Sequence, residues 1–90
     1  MKPHFKEHTM QTYFAKNLKD HLKEMVKGSV HCTITSDDQL IVKIYASNDI
    51  VYWYKLECMS DKIYTGLTSE TLSHTIVKWY RRYINNLFFM

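Results

Sequence analysis

Five histidines, two cysteines and nine carboxylates are the residues with which this chain could do metal, covalent or acid–base chemistry. His4 and His8 have an i, i+4 spacing, but they sit in the N-terminal lead-in. No second ligand pair accompanies them, and a zinc site needs three or four protein ligands. Cys32 and Cys58 fall at core-facing positions of two outer strands. They lie too far apart along those strands for disulfide geometry and read as buried structural thiols. The sequence holds no glycine-rich phosphate loop, no nucleophile elbow and no acid–base carboxylate pair, and its acids sit mostly in turns. These residues predict a protein that is not an enzyme and uses no metal and no cofactor.

Binding chemistry is better represented. Ile41, Lys43 and Tyr45 alternate along one segment, and Val51, Trp53 and Lys55 along the next. Alternation at period two sends all six to one face of a sheet, flanked by His31 and Thr33. Large apolar residues on an open face suit a partner protein. Aromatic rings set between lysines also suit stacked nucleic-acid bases. Cross-strand stabilisation of the sheet itself accounts for the same residue types. A second candidate surface is Lys78, Arg81 and Arg82, joined by Lys16, Lys19, Lys23 and Lys27, which could meet phosphates or an acidic protein. The run Leu87-Phe88-Phe89-Met90 is a third. It is expected to dock on the domain's own core, with a homodimer or partner contact as the alternative.

The elements that must position these residues follow from periodicity. Met10, Phe14, Leu18, Leu22 and Met25 step by four or three and predict a helix over residues 10–27, widened by Tyr13 and Val26. Thr9 is the expected N-cap and Gly28 the expected C-terminal stop. Residues 1–9 read as a loosely ordered lead-in. Three runs with period two follow: Val30, Cys32 and Ile34; Leu40, Val42, Ile44 and Ala46; then Ile50, Tyr52, Tyr54, Leu56 and Cys58. Three-residue loops at 36–38 and 47–49 pair Ile34 with Leu40 and Ile44 with Tyr52, which keeps the apolar sets on one face. A two-residue loop would mix the faces. A second helix is predicted over residues 69–86, with Leu72, Ile76, Tyr80, Tyr83 and Leu87 on its stripe and Val77, Trp79, Ile84 and Phe88 beside it. Residues 59–68 read as a loop with a short turn that carries Ile63, Tyr64 and Leu67 inward.

The predicted fold is α+β, one domain over residues 1–90: a three-stranded antiparallel meander in the order 1-2-3, with two helices on one face, α-β-β-β-α. Nothing is left to cover the other face. Net charge is +3, with the excess on the two helical segments, short of the dense basic patch of a dedicated nucleic-acid binder. The N-terminal segment has no apolar run of the kind a signal peptide needs, and no segment is long enough to span a membrane. A cytoplasmic protein with free thiols is expected.

The order α-β-β-β-α is similar to that of the double-stranded-RNA-binding domain. That family grips phosphates with a basic cluster at the start of its second helix. Here that helix opens Thr68-Ser69-Glu70-Thr71-Leu72 and the first hairpin loop is Ser36-Asp37-Asp38, so those contacts do not carry over. The chain more closely resembles small early proteins of phages and prophages of low-GC Gram-positive bacteria. The likeness rests on chain length, on ten lysines against two arginines as AT-rich coding gives, and on the ending from Ile76 through Lys78-Trp79-Tyr80-Arg81-Arg82-Tyr83 to Phe89. That class includes anti-CRISPR inhibitors. The resemblance implies a non-enzymatic phage or mobile-element protein in the host cytoplasm, which binds and inhibits or modulates a host protein or ribonucleoprotein. The best-known inhibitor of that shape is strongly acidic and mimics DNA, whereas this chain is mildly basic. The alternative is a small nucleic-acid-binding module that uses the basic helix faces.

Overall fold

A computed structural model describes the backbone of residues 2–88 and the side chains of residues 10–88. Helix α1 spans Lys2–Met25. Strands β1 (Ser29–Ile34), β2 (Leu40–Tyr45) and β3 (Val51–Leu56) follow, then α2 (Met59–Tyr64) and α3 (Ser69–Phe88). The strands form one antiparallel sheet in the order β1-β2-β3. The α+β layout and the meander order are those the sequence predicts, with the short α2 as an addition.

Both hairpins have the three-residue loops that the apolar pattern requires. Ile34 pairs with Leu40 and Cys32 with Val42. Ile44 pairs with Tyr52 and Val42 with Tyr54. In the first loop Asp38 takes a left-handed conformation, with φ of 65°, and its N–H donates to the Thr35 carbonyl. A left-handed third residue is a common way to close a three-residue hairpin, and Asp tolerates it.

The core is one-sided. Phe14, Leu18 and Leu22 of α1 and Leu72, Ile76 and Val77 of α3 form one buried cluster with Val30, Leu40, Val42, Ile44 and Met59. Gln11 at the N-terminal part of α1 binds Asp38 in the first hairpin loop. Tyr80 and Tyr83 of α3 pack on Tyr52, at the opposite end of the sheet. The two long helices therefore run in the same direction across the sheet. A strand of six residues covers about 20 Å, whereas α3 extends about 30 Å. The helices overhang, and the molecule measures 51 × 24 × 22 Å.

Four expectations about the helices are corrected. First, α1 starts at Lys2, so residues 2–9 have helical backbone and Thr9 lies inside the helix instead of capping it. Pro3 sits in the first turn, where its missing N–H is not needed. The apolar stripe marks where α1 is buried, not where it begins. Second, Met10 and Tyr13 are exposed. Met10 lies at the edge of the sheet's reach, and Tyr13 sits a full 100° around the helix from Phe14. Third, residues 59–64 are a helix whose buried residue is Met59, while Tyr64 is 90% exposed. Fourth, Leu87 and Phe88 are exposed at the overhanging end of α3, so that end does not dock on the core. Phe89 and Met90 lie outside the described residues.

One loop acid has a structural job. The N-cap position of α2 is Cys58, with φ of 56° and no side-chain cap. Asp38 supplies the missing acceptors from the hairpin loop. Its carbonyl accepts from the Met59 N–H, and its carboxylate accepts from the Ser60 N–H and hydroxyl. A carboxylate at a helix N-terminus also meets the positive end of the helix dipole. At α3, Thr68 is the N-cap and its hydroxyl accepts from the Thr71 N–H at 3.1 Å.

Candidate functional site

The uncovered face of the sheet is built by alternation alone. With both loops three residues long, the residues opposite the core are Ser29, His31 and Thr33 of β1, Ile41, Lys43 and Tyr45 of β2, and Val51, Trp53 and Lys55 of β3. Register sets them in three rows across the strands: Ser29–Tyr45–Val51, His31–Lys43–Trp53 and Thr33–Ile41–Lys55. The structure thus brings together all six residues that the sequence singled out, with His31 and Thr33 beside them.

The middle row is the chemical centre. Lys43 Nζ lies 4.6 Å from the centroid of the Trp53 ring, a cation–π contact across a directly paired position. Trp53 remains 54% exposed, because it stands on an edge strand with no further strand beside it. His31 meets Tyr45 edge to face, with centroids 5.4 Å apart. No carboxylate belongs to the three rows. The acids closest in sequence, Asp37, Asp49 and Glu57, lie beyond the strand ends, and Glu57 accepts from the Gln39 amide. At the 47–49 end the face runs into an open depression of about 580 Å³ between Gly28, His31, Tyr45, Ser47 and Asn48.

Lys78, Arg81 and Arg82 are all exposed on α3, in the other layer of the domain. Their spacing puts them on neighbouring positions of one helix face. The Arg82 guanidinium lies 5.3 Å from the centroid of the Trp79 ring. Trp79, expected on the buried side, is 45% exposed, because the core stripe of α3 passes through Ile76, Val77 and Tyr80. Of the α1 lysines, Lys16 and Lys19 flank a shallow groove of about 390 Å³ between α1 and β1, bounded by Cys32 and Ile34.

One surface was not visible in the sequence. Met10, Gln11, Ile63 and Tyr64 border a shallow pocket of about 340 Å³ where α1 meets α2. The only signal for it was negative: a six-residue helix can bury one or two side chains, not every apolar residue it carries.

The cysteines depart from their expected roles. Cys32 is half-buried and Cys58 is exposed, because the left-handed turn at Cys58 takes it out of the strand alternation. Burial pushes the Cys32 thiol up from 9.0 to about 12, against a smaller downward pull from the Lys19 ammonium. The folded chain is expected to take one alkyl group, at Cys58, from iodoacetamide near neutral pH. Cys32 should react only after denaturation, as read by peptide mass. The same shift sets an alkaline limit. Between pH 9.0 and about 12 the unfolded chain has released the Cys32 proton and the folded chain still holds it. Stability present below pH 9.0 is therefore lost as pH rises through that window. Burial raises Tyr52, Tyr54 and Tyr80 above 10.0 and acts in the same sense. The urea midpoint should fall between pH 8 and pH 11.

Among the described residues, no cluster of three His, Cys, Asp or Glu could hold a metal ion. His4 and His8 lie outside the residues whose side chains are described. No described helix is long and apolar enough to cross a membrane. Compared with known proteins, the chain matches no family model, no curated protein and no solved structure.

Proposed function

We propose that this chain is a non-enzymatic binding protein that docks a host protein or ribonucleoprotein on the open face of its sheet and thereby inhibits or modulates it. The observation that carries this reading is Trp53. It is a large aromatic ring, more than half exposed, at the centre row of a face that no other described element covers. Aromatic side chains in such positions supply most of the energy of an interface. Tyr45 and Ile41 are its neighbours, and Lys43 and Lys55 give the face its charge. The resemblance to small phage proteins, anti-CRISPR inhibitors among them, points the same way.

The test is a tagged pull-down from a low-GC Gram-positive lysate, with the wild type beside Trp53→Ala. Capture should weaken by about thirtyfold or more in the variant, the scale of a hot-spot residue. Melting should stay close to the wild type, because exposed positions contribute little to stability. Equal capture by both proteins would remove the open face from consideration.

A second reading has its own observation: three adjacent exposed cations on α3, one of them lying over a tryptophan ring. It makes the chain a nucleic-acid-binding module that works through Lys78, Arg81 and Arg82. Arg81→Glu with Arg82→Glu would then abolish binding, and Trp53→Ala would leave it intact.

A further inference from the structure

The open face has a size, a charge and a ring arrangement that together specify its occupant more narrowly. We infer that it takes single-stranded nucleic acid, with a base stacked on Trp53 and the adjoining phosphates held by Lys43 and Lys55. This rests on the reading that the open face is the binding surface, and it names what touches that face.

Size comes first. Strands stand about 4.8 Å apart and rise about 3.3 Å per residue, so the three rows cover roughly 200 Å² in plan. A stable protein interface buries about 800 Å² on each partner, so a protein docked here must also reach past the three rows. Sheet platforms for single-stranded RNA are of the smaller scale and stack two or three bases.

Charge comes next. Across its three rows the face carries Lys43 and Lys55 and no carboxylate, so an anionic occupant is favoured. The carboxylates Asp37, Asp49 and Glu57 lie beyond the two ends of the strands. A polyanion that runs along the strands would meet acids at both ends. One that crosses the strands, from His31 over Lys43 to Trp53, meets only cations and rings. Register therefore sets a path as well as a sign.

The rings decide between a nucleic acid and an acidic peptide. Lys43 lies over the Trp53 ring, yet more than half of that side chain stays accessible. A base offers a π-face to the ring and a phosphate to the ammonium at the same site. An acidic peptide uses the lysines and leaves Trp53 in water. Beyond Tyr45, the depression bordered by Ser47 and Asn48 offers hydroxyl and amide groups to the edge of a second base.

Trp79→Phe leaves Trp53 as the single tryptophan, and its fluorescence reports on the face directly. The probes are a short oligouridylate, the matching oligodeoxythymidylate and a duplex of equal length. Single strands should quench Trp53 and the duplex should not. With two phosphates engaged, the log–log salt slope of the association constant should be about −1.4. Lys43→Ala with Lys55→Ala should flatten that slope. By anisotropy of a labelled oligonucleotide, Trp53→Ala should weaken binding roughly five- to a hundredfold, and Trp53→Phe should keep most of it. Absence of quenching at low salt overturns the inference. So does binding that survives both Trp53→Ala and the double lysine variant, which would place the contact on α3. If the pull-down returns a protein that depends on Trp53 and resists nuclease, while oligonucleotides leave Trp53 unquenched, the nucleic-acid inference falls and the open-face reading stands. If capture ignores Trp53, the open-face reading falls with it.

Discussion

Gly28→Ala is expected to destabilise the domain by about 3 kcal/mol or more, and to lower the melting temperature by roughly 12–24 °C for a chain of this size. Two separate constraints add at this position. The backbone holds φ at +105°, a region that residues with a Cβ rarely enter. A Cβ built there would also stand 2.2 Å from the Tyr45 carbonyl oxygen. That oxygen is backbone of the central strand and cannot swing aside as a side chain can. Gly28 therefore lets α1 turn into β1 while the chain passes directly against β2. Gly66 is the control. Its φ is +110°, but nothing lies within 4 Å of its missing Cβ. Gly66→Ala should cost only the backbone strain, about 1–2 kcal/mol. Equal losses in the two variants, read by thermal melting, would show that the close approach to Tyr45 is not the constraint.

The second large effect is expected in α2. Met59→Ala should cost about 2–5 kcal/mol, the range for emptying a fully buried site. Tyr64→Ala, five residues on, should stay within about 0.5 kcal/mol. Met59 is fully buried in the core cluster and Tyr64 is 90% exposed. A urea titration of both variants distinguishes them, and a Tyr64→Ala loss as large as that of Met59→Ala would refute the packing of this helix. Against a total stability of about 5–15 kcal/mol for native proteins generally, the Met59 loss alone brings a small domain close to unfolding.

Met59 and Tyr64 also show where the sequence was and was not legible. The register of the strands, though not their ends, could be read to the residue, because two different loop lengths predict two different partitions of apolar side chains and only one partition is consistent. Ile34 opposite Leu40 and Ile44 opposite Tyr52 followed from that test. The open face followed with them, since it is whatever the core does not take. Periodicity located the buried stretches of α1 and α3, but not their ends. A helix continues past its support with no apolar signal, as α1 does through residues 2–9 and α3 does at Leu87 and Phe88. Residues 59–64 were illegible for another reason. One turn and a half is too short for a period to repeat, and the cap of α2 comes from Asp38, twenty-one positions before Met59 in the chain. No local pattern announces a cap that arrives from another hairpin. The Lys43 contact with Trp53 is intermediate: register predicts that they are paired, and only the folded structure gives the ammonium its place over the ring.

The two three-residue loops have one more consequence, for how such a protein can change over time. Each loop preserves the parity of the numbering from strand to strand. Every core position in β1, β2 and β3 is even-numbered and every open-face position is odd-numbered. Folding requirements and contact requirements are thus written on alternate letters of the same eighteen strand residues. A lineage under pressure to follow a changing partner can rewrite the odd letters freely and leave the even ones alone. Two chains with the same architecture could then share a hydrophobic rhythm and little else, and their kinship would be readable in the letters that touch no partner at all.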